Sequence, residues 1–222
     1  MRFRKIYVEI SNLCNLSCAF CPGTKRSPGR MTPEDFAKLL PKLRPYTDFL
    51  YFHIMGEPLC HPRLAELLEL ARDFRVILTT NGTLLSGQQE MLLSAPALHK
   101  VNISLHAFEA NDLAVPFAKY LSDCFDFGKA AAGKKLVVYR LWNQGGADTQ
   151  NARSSRQWSR RSQSLGKKNP GEQELQTGCI WNTAKNSVGL TWKHRRAQKK
   201  CSATACGTSW VSFGTARWCR AA

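Results

Sequence analysis

Cys14, Cys18 and Cys21 put three thiols into eight consecutive residues, Cys14-Asn15-Leu16-Ser17-Cys18-Ala19-Phe20-Cys21. Thiolates are soft ligands, and three of them can wrap one cuboidal iron–sulfur cluster, each holding a different iron. Three ligands for four irons leave one iron open to a substrate or cofactor. A zinc knuckle is the rival reading; it needs a fourth ligand, which Cys60 or His61 could supply. The local cysteine count is odd and the basic start, Met1-Arg2-Phe3-Arg4-Lys5, lacks the apolar stretch of a secretory signal, so disulfides are not expected.

The elements that must hold these thiols read as alternating strands and helices. Lys5–Ile10, Phe49–Ile54, Arg75–Thr80, Val101–Leu105 and Lys135–Tyr139 have the branched and aromatic character of strands. Helices are expected from Thr32-Pro33-Glu34-Asp35 to about Leu43, over Pro62–Asp73, over Ser86–Leu93 and over Val115–Ala131. This alternation predicts an α/β fold with a parallel sheet or barrel, whose chemistry lies at the carboxyl ends of the strands. Four clusters lie there: the cysteine triplet after the first strand, Met55-Gly56-Glu57-Pro58 after the second, Thr79-Thr80-Asn81-Gly82 closing the third, and Ser104 closing the fourth. Their shared placement predicts a single site.

These residues resemble a family. C-x3-C-x2-C after a first strand, with Phe20 before the last cysteine, is similar to the radical S-adenosylmethionine (SAM) superfamily. His53-Ile54-Met55-Gly56-Glu57-Pro58-Leu59 resembles its "GGEP" segment, with Met55 in place of the first glycine. Thr79–Gly82 and Asn102-Ile103-Ser104-Leu105 resemble its third- and fourth-strand elements, and the likeness covers about residues 5–143. The resemblance implies a partial (β/α)6-type barrel. Cys14, Cys18 and Cys21 would hold a [4Fe-4S] cluster whose open iron chelates SAM. Phe20 would lie by the adenine, and the Gly56-Glu57 edge would meet the methionine amino group. Ser104, with Thr80 or Asn81, would contact the ribose or line the substrate space, and Arg140 would pair with the SAM carboxylate. It further implies an oxidoreductase-type radical enzyme served by a flavodoxin- or ferredoxin-like electron donor, of the SPASM type that modifies a peptide or protein.

The sequence changes character at about residue 150. The last 72 residues hold 14 of the 32 Lys and Arg but two of the 16 acids, and five of the six tryptophans. That segment has no Asp or Met and loses hydrophobic periodicity, so most of the net charge of +16 belongs to it. Residues 1–150 read as the core, an incomplete barrel with five strands. Residues 151–222 read as a basic Trp/Arg-rich tail that is disordered or translated out of frame. Back-translating Gly214–Ala222 and shifting the frame by two bases can give a string similar to the start of a Cys-rich SPASM extension. If genuine, the tail suits a nucleic-acid partner, its cations for phosphates and its tryptophans for stacking. The alternatives to the enzyme are accordingly a basic nucleic-acid-binding module with a structural metal site, or an inactive truncated product. No apolar run approaches the ~18 residues of a membrane span, which predicts no membrane partner and a cytoplasmic location.

Overall fold

A computed structural model describes residues 2–144, 149–150, 153–154, 156–157 and 160, with 142–144 as backbone alone, and the backbone of Cys179–Lys185 and Thr208–Val211. Five strands form the centre: β1 (Lys5–Val8), β2 (Phe49–Phe52), β3 (Arg75–Thr80), β4 (Leu98–Ser104) and β5 (Leu136–Gln144). Each is parallel to its neighbour, in the order β5-β4-β3-β2-β1. Between them run α1 (Pro33–Leu43), α2 (Leu64–Leu70), α3 (Leu85–Ser94) and α4 (Phe117–Ala130). The result is the expected α/β chain of βαβ crossovers.

Local chemistry explains the helix starts. The Thr32 hydroxyl accepts from the Asp35 amide at 3.1 Å, Pro33 occupies the first turn, and Glu34 and Asp35 lie at the positive end of α1. Period-two alternation divides the sheet into two faces. Ile6 and Val8, Leu50 and Phe52, Val76 and Leu78, Val101 and Ile103, and Val137 and Tyr139 are all buried, and with Phe36, Leu67, Leu121 and Phe127 they form one hydrophobic core. Lys5 and Tyr7, Tyr51 and His53, Thr79, Asn102 and Arg140 alternate with these residues and share the opposite face. That face is the polar interior of the partial barrel.

Two short segments of the tail extend this sheet. β6 (Cys179–Lys185) runs parallel to β5, with Val137 opposite Cys179 and Arg140 opposite Asn182, and β7 (Thr208–Val211) runs parallel to β1. The sheet order is therefore β6-β5-β4-β3-β2-β1-β7. The open edge expected beyond the fifth strand carries a strand instead. Edge pairing is made by backbone N–H and C=O groups, so it needs no hydrophobic alternation to announce it. Apart from residues 153–154, 156–157 and 160, the rest of the basic tail, with Cys201, Cys206 and Cys219 and the back-translated segment, lies outside the described residues.

Candidate functional site

The segment between β1 and α1 leaves the sheet as a closed loop. Ser11 and Arg30 form an antiparallel bridge at its neck, and the Met31 amide donates to the Ile10 carbonyl at 2.8 Å. Asn12 ties the stem from both sides: its Nδ2 donates to the Ser27 carbonyl at 2.8 Å, and its Oδ1 accepts from the Gly29 amide at 2.7 Å. Within the loop a tight turn joins Cys18 to Cys21, the Cys21 amide donating to the Cys18 carbonyl at 2.9 Å.

All three cysteines line a pocket of about 480 Å³ that also takes in Phe20, Gly56, Glu57, Thr80, Asn81 and Ser104. The structure thus brings nine of the ten expected site residues to one cavity at the carboxyl ends of β1 to β4. Arg140 is the exception. It lies beside Ser104 in the β4–β5 register, and its charge is felt by Tyr51, His53 and Lys100.

The sulfurs sit among N–H donors. The Leu16 amide donates to Cys14 Sγ at 3.4 Å, Asn81 Nδ2 approaches the same sulfur at 4.0 Å, and Asn111 Nδ2 donates to Cys18 Sγ at 3.1 Å. Burial pushes the thiols of Cys14 and Cys18 up from their ordinary value. Binding as thiolates must therefore be driven by the metal they meet. The pocket mouth carries Phe20, half exposed, with its ring 5.1 Å from that of His106.

Glu57 has a more internal task than its sequence position suggests. One carboxylate oxygen accepts from the Leu59 amide at 3.0 Å, the other from the Asn81 amide at 2.7 Å, and the Thr80 hydroxyl bonds it as well. Burial raises its pKa to about 6 against the lowering effect of these donors. The carboxylate locks the loop after β2 to the end of β3. At the Gly56-Glu57 edge the Glu57 carbonyl already accepts from the Cys60 amide at 3.0 Å, so a bound cation would meet the Gly56 carbonyl and the remaining lone pair of Glu57's. Asn81 carries the bracing across to the cysteine loop: its Nδ2 donates to Asn15 Oδ1 at 2.9 Å, while Asn15 Nδ2 donates to Thr83 Oγ1 at 2.8 Å.

Helix α4 supports the same turn. Tyr120, buried, donates its hydroxyl to the Asn81 carbonyl at 2.8 Å. Replacing Tyr120 by Phe removes that donor and leaves a buried carbonyl short of a partner, at a cost of about 1–3 kcal/mol. Chemical denaturation should show this loss with an unchanged m-value, and a variant of wild-type stability would refute the brace.

Sequence reading missed Glu9, Arg26 and Asn111. Glu9, just past the end of β1, is buried, and its carboxylate pairs with Arg26 Nη1 at 2.5 Å and accepts from the Met55 amide at 3.2 Å. It joins the cysteine loop to the loop after β2. Asn111 accepts from the Ser17 amide at 3.0 Å while it donates to Cys18, holding the middle of the cysteine loop from 94 positions away in sequence. The one clue to Glu9 was an acid next to the end of the expected strand Lys5–Ile10.

The zinc reading gains nothing here. His61, a candidate fourth ligand, has both ring nitrogens engaged, Nε2 with the Met31 carbonyl at 2.9 Å and Nδ1 with the Arg63 amide at 3.1 Å. Among the described residues, no group of three or more His, Cys, Asp and Glu side chains gathers as a single metal ion would need.

Residues 8–122 match the family model of the Radical SAM superfamily. The chain belongs to the radical SAM superfamily. It is 29% identical over 141 residues to a tungsten-containing aldehyde ferredoxin oxidoreductase cofactor-modifying protein of Pyrococcus furiosus, an alignment covering 61% of this chain and 38% of that one. It is 32% identical over 129 residues to a GTP 3′,8-cyclase of a Synechococcus strain, covering 50% of this chain and 36% of the relative. The chain thus spans less than two fifths of the length of these relatives. Among solved structures, Streptococcus suis SuiB superposes with a TM-score of 0.59 at 15% identity, over 90% of this chain and 43% of SuiB. The protein anSMEcpe superposes at 0.56 with 16% identity, over 83% of this chain and 51% of its own. These likenesses show the partial-barrel fold.

Radical SAM proteins are enzymes that use a [4Fe-4S] cluster and SAM. The donor set here fits that pair. Three thiols from one loop line a pocket, with N–H groups at the sulfurs of Cys14 and Cys18, and such hydrogen bonds tune cluster potentials. Among the described residues, no helix is long and apolar enough to cross a membrane.

The barrel interior titrates unusually. His53 is held neutral, its pKa lowered to about 3 first by burial and then by the charges of Arg140 and Lys5. The unfolded chain takes up a proton near pH 6.5 where the folded one does not. His53 therefore contributes stability above pH 6.5 that is lost as the pH falls from there toward 3, by up to about 1.4 kcal/mol per pH unit. His53→Gln should flatten the slope of unfolding free energy against pH over that window. An unchanged slope would contradict a neutral buried imidazole.

Proposed function

We propose that this protein is a cytoplasmic radical SAM enzyme that acts on a peptide or protein side chain, as SPASM-type members do, and is served by a flavodoxin- or ferredoxin-like donor. The observation that carries the reading is the convergence of the three thiols, the Gly56 edge, the Asn81 turn and Ser104 on one pocket. Two fold neighbours support the peptide substrate: SuiB in a structure bound to its precursor peptide SuiA, and anSMEcpe with a bound Cp18Cys peptide.

When bound, the cluster and SAM supply a one-electron reductive cleavage that yields methionine and a 5′-deoxyadenosyl radical able to take a hydrogen atom from substrate. The chain's own residues supply placement. Cys14, Cys18 and Cys21 would hold the cluster, with Asn111 and the Leu16 amide donating to sulfur. The carbonyls of the Gly56-Glu57 edge would accept from the SAM amino group. Phe20 would cover the adenine at the pocket mouth and shed water from it, while Ser104, beside the Thr80-Asn81 turn, would offer its hydroxyl to the ribose. Glu57 would act by keeping the loop after β2 against β3.

The test is anaerobic reconstitution of the full chain with iron and sulfide, followed by reduction with dithionite in the presence of SAM. A brown protein that forms 5′-deoxyadenosine is the expected result. Stoichiometric zinc with no 5′-deoxyadenosine would overturn the reading.

A further inference from the structure

Asn111 lies between the 3-10 helix Leu105–Ala107 and α4, outside all four motif clusters, yet its side chain reaches Cys18. It closes the turn 108–111, its backbone amide donating to the Phe108 carbonyl at 3.2 Å. The same turn is held from its other side. Glu109 Oε1 accepts from the Thr149 hydroxyl at 2.6 Å and from the Gln150 amide at 2.8 Å. The backbone that carries Asn111 is thus anchored independently of the cysteine loop.

Three contacts leave the Asn111 side chain one orientation. Oδ1 accepts from the Ser17 amide at 3.0 Å, a partner that can only donate. Nδ2 donates to the Ala107 carbonyl at 2.7 Å, a partner that can only accept. Exchanging oxygen and nitrogen would break both bonds, so the neighbours decide which atom is the nitrogen. One hydrogen of Nδ2 serves Ala107, and the other is left for Cys18 Sγ, 3.1 Å away. The second side-chain amide near a thiol is placed differently: Asn81 Nδ2 lies 4.0 Å from Cys14 Sγ and makes its nearer contact, at 2.9 Å, with Asn15 Oδ1.

Anchoring the loop needs no bond to sulfur, since the Ser17 amide already ties it to Asn111. A donor aimed at a ligand sulfur has an electronic effect as well. An electron taken up by a cluster makes its sulfurs more negative, and an N–H dipole pointing at one of them stabilises the reduced form more than the oxidised form. We propose that Asn111 is a positioning residue that raises the reduction potential of the cluster through Cys18 and so eases the electron entry that SAM cleavage requires. The inference rests on the radical SAM reading for the cluster itself; the bond to Cys18 is a property of the fold.

The experiment is a redox titration, followed by EPR, of the full chain reconstituted anaerobically with iron and sulfide, in the absence of SAM. Asn111→Leu removes the donor without adding charge. Asn111→Asp removes it while keeping an acceptor for the Ser17 amide, so the cysteine loop stays anchored. Each should disfavour the reduced cluster about tenfold or more, a fall in midpoint potential of about 59 mV or more for a one-electron couple. The fall should be larger in Asn111→Asp, whose carboxylate adds negative charge beside the sulfur. A purely structural role would change iron content or Tm and leave the potential where it is, so a wild-type potential in either variant that keeps its iron would overturn the proposal. The wild-type chain supplies a second reading. With asparagine labelled by nitrogen-15 in its side-chain amide, pulsed EPR of the reduced cluster should show a nitrogen-15 coupling that Asn111→Asp removes. No coupling in wild type, or one that persists in the variant, would also overturn it. A chain whose potential depends on Asn111 but that forms no 5′-deoxyadenosine refutes the enzyme reading alone. SAM cleavage with a potential indifferent to Asn111 refutes this proposal alone.

Discussion

Cys18→Ala should lose its cluster and with it 5′-deoxyadenosine formation, by at least about 100-fold. Even groups that only orient a ligand change metal affinity or activity by about 10–100-fold when removed, and Cys18 is a proposed ligand itself. Without Cys18, two thiols would be left to hold a four-iron cluster, so a second iron would lack its protein ligand. The alanine would also take one acceptor from Asn111, whose Nδ2 donates to Cys18 Sγ at 3.1 Å as well as to the Ala107 carbonyl at 2.7 Å while its Oδ1 anchors the Ser17 amide. Iron and sulfide analysis, visible absorption and product assay read the loss together. Cys18→Ser is the companion variant: it keeps an acceptor for Asn111 and should preserve the loop while still failing to hold iron. Cys60→Ser is the control, since Cys60 stands outside the pocket although its charge is felt at Cys14. It should keep iron content within error of wild type. Full cluster content and cleavage in Cys18→Ala would sink the assignment of the triplet, and loss of metal in Cys60→Ser would revive a four-thiol site.

The contrast between Cys18 and Asn111 shows what the sequence could and could not disclose. Thiols at fixed short spacing on one loop announce a metal because few other arrangements need them. An asparagine 93 positions later announces nothing, since its value lies in where α4 and the short 3-10 helix Leu105–Ala107 bring it. β3 was legible to the residue, Arg75–Thr80, because a buried apolar run there ends at an Asn-Gly turn. β4 was not: it begins at Leu98, where exposed His99 and partly buried Lys100 break the apolar run and hide three residues of strand. Of the two, Lys100 lies on the polar face of the sheet, opposite Ile77. β6 and β7 were invisible for a different reason. Their pairing is made by the backbone of β5 and β1, in a tail with no alternation to read. Glu57 was found but for an incomplete reason, as motif position suggests a contact with ligand and gives no sign of the Leu59 and Asn81 amides that occupy its oxygens.

Gly56→Ala should destabilise the protein by about 2–5 kcal/mol and leave the cysteine loop unable to close. Gly56 has φ of +78°, a conformation that costs a residue with a Cβ roughly 1–2 kcal/mol. The added Cβ would also stand 2.6 Å from the Ser11 carbonyl oxygen, 2.7 Å from that of Leu13 and 2.8 Å from the Asn12 carbonyl carbon. All three are backbone atoms, so relief cannot come from a side chain turning aside, and overpacking of this kind adds typically about 1–3 kcal/mol. The neighbouring bond from the Glu57 amide to the Leu13 carbonyl, 2.7 Å long, lies where the chain must move. That contact joins the loop after β2 to the segment leading into Cys14, so the strain passes to the first thiol. For a domain of this size the loss corresponds to a fall in Tm of roughly 5–20 °C. Gly133→Ala separates the two causes. Gly133 has φ of +73° but nothing within 4 Å of its would-be Cβ, so that variant bears the backbone cost alone and should fall by about 1–2 kcal/mol with the cluster intact. Equal losses in the two variants would mean that close approach at Gly56 contributes nothing. A Gly56→Ala protein with wild-type Tm and iron content would mean that the two loops are not held edge to edge.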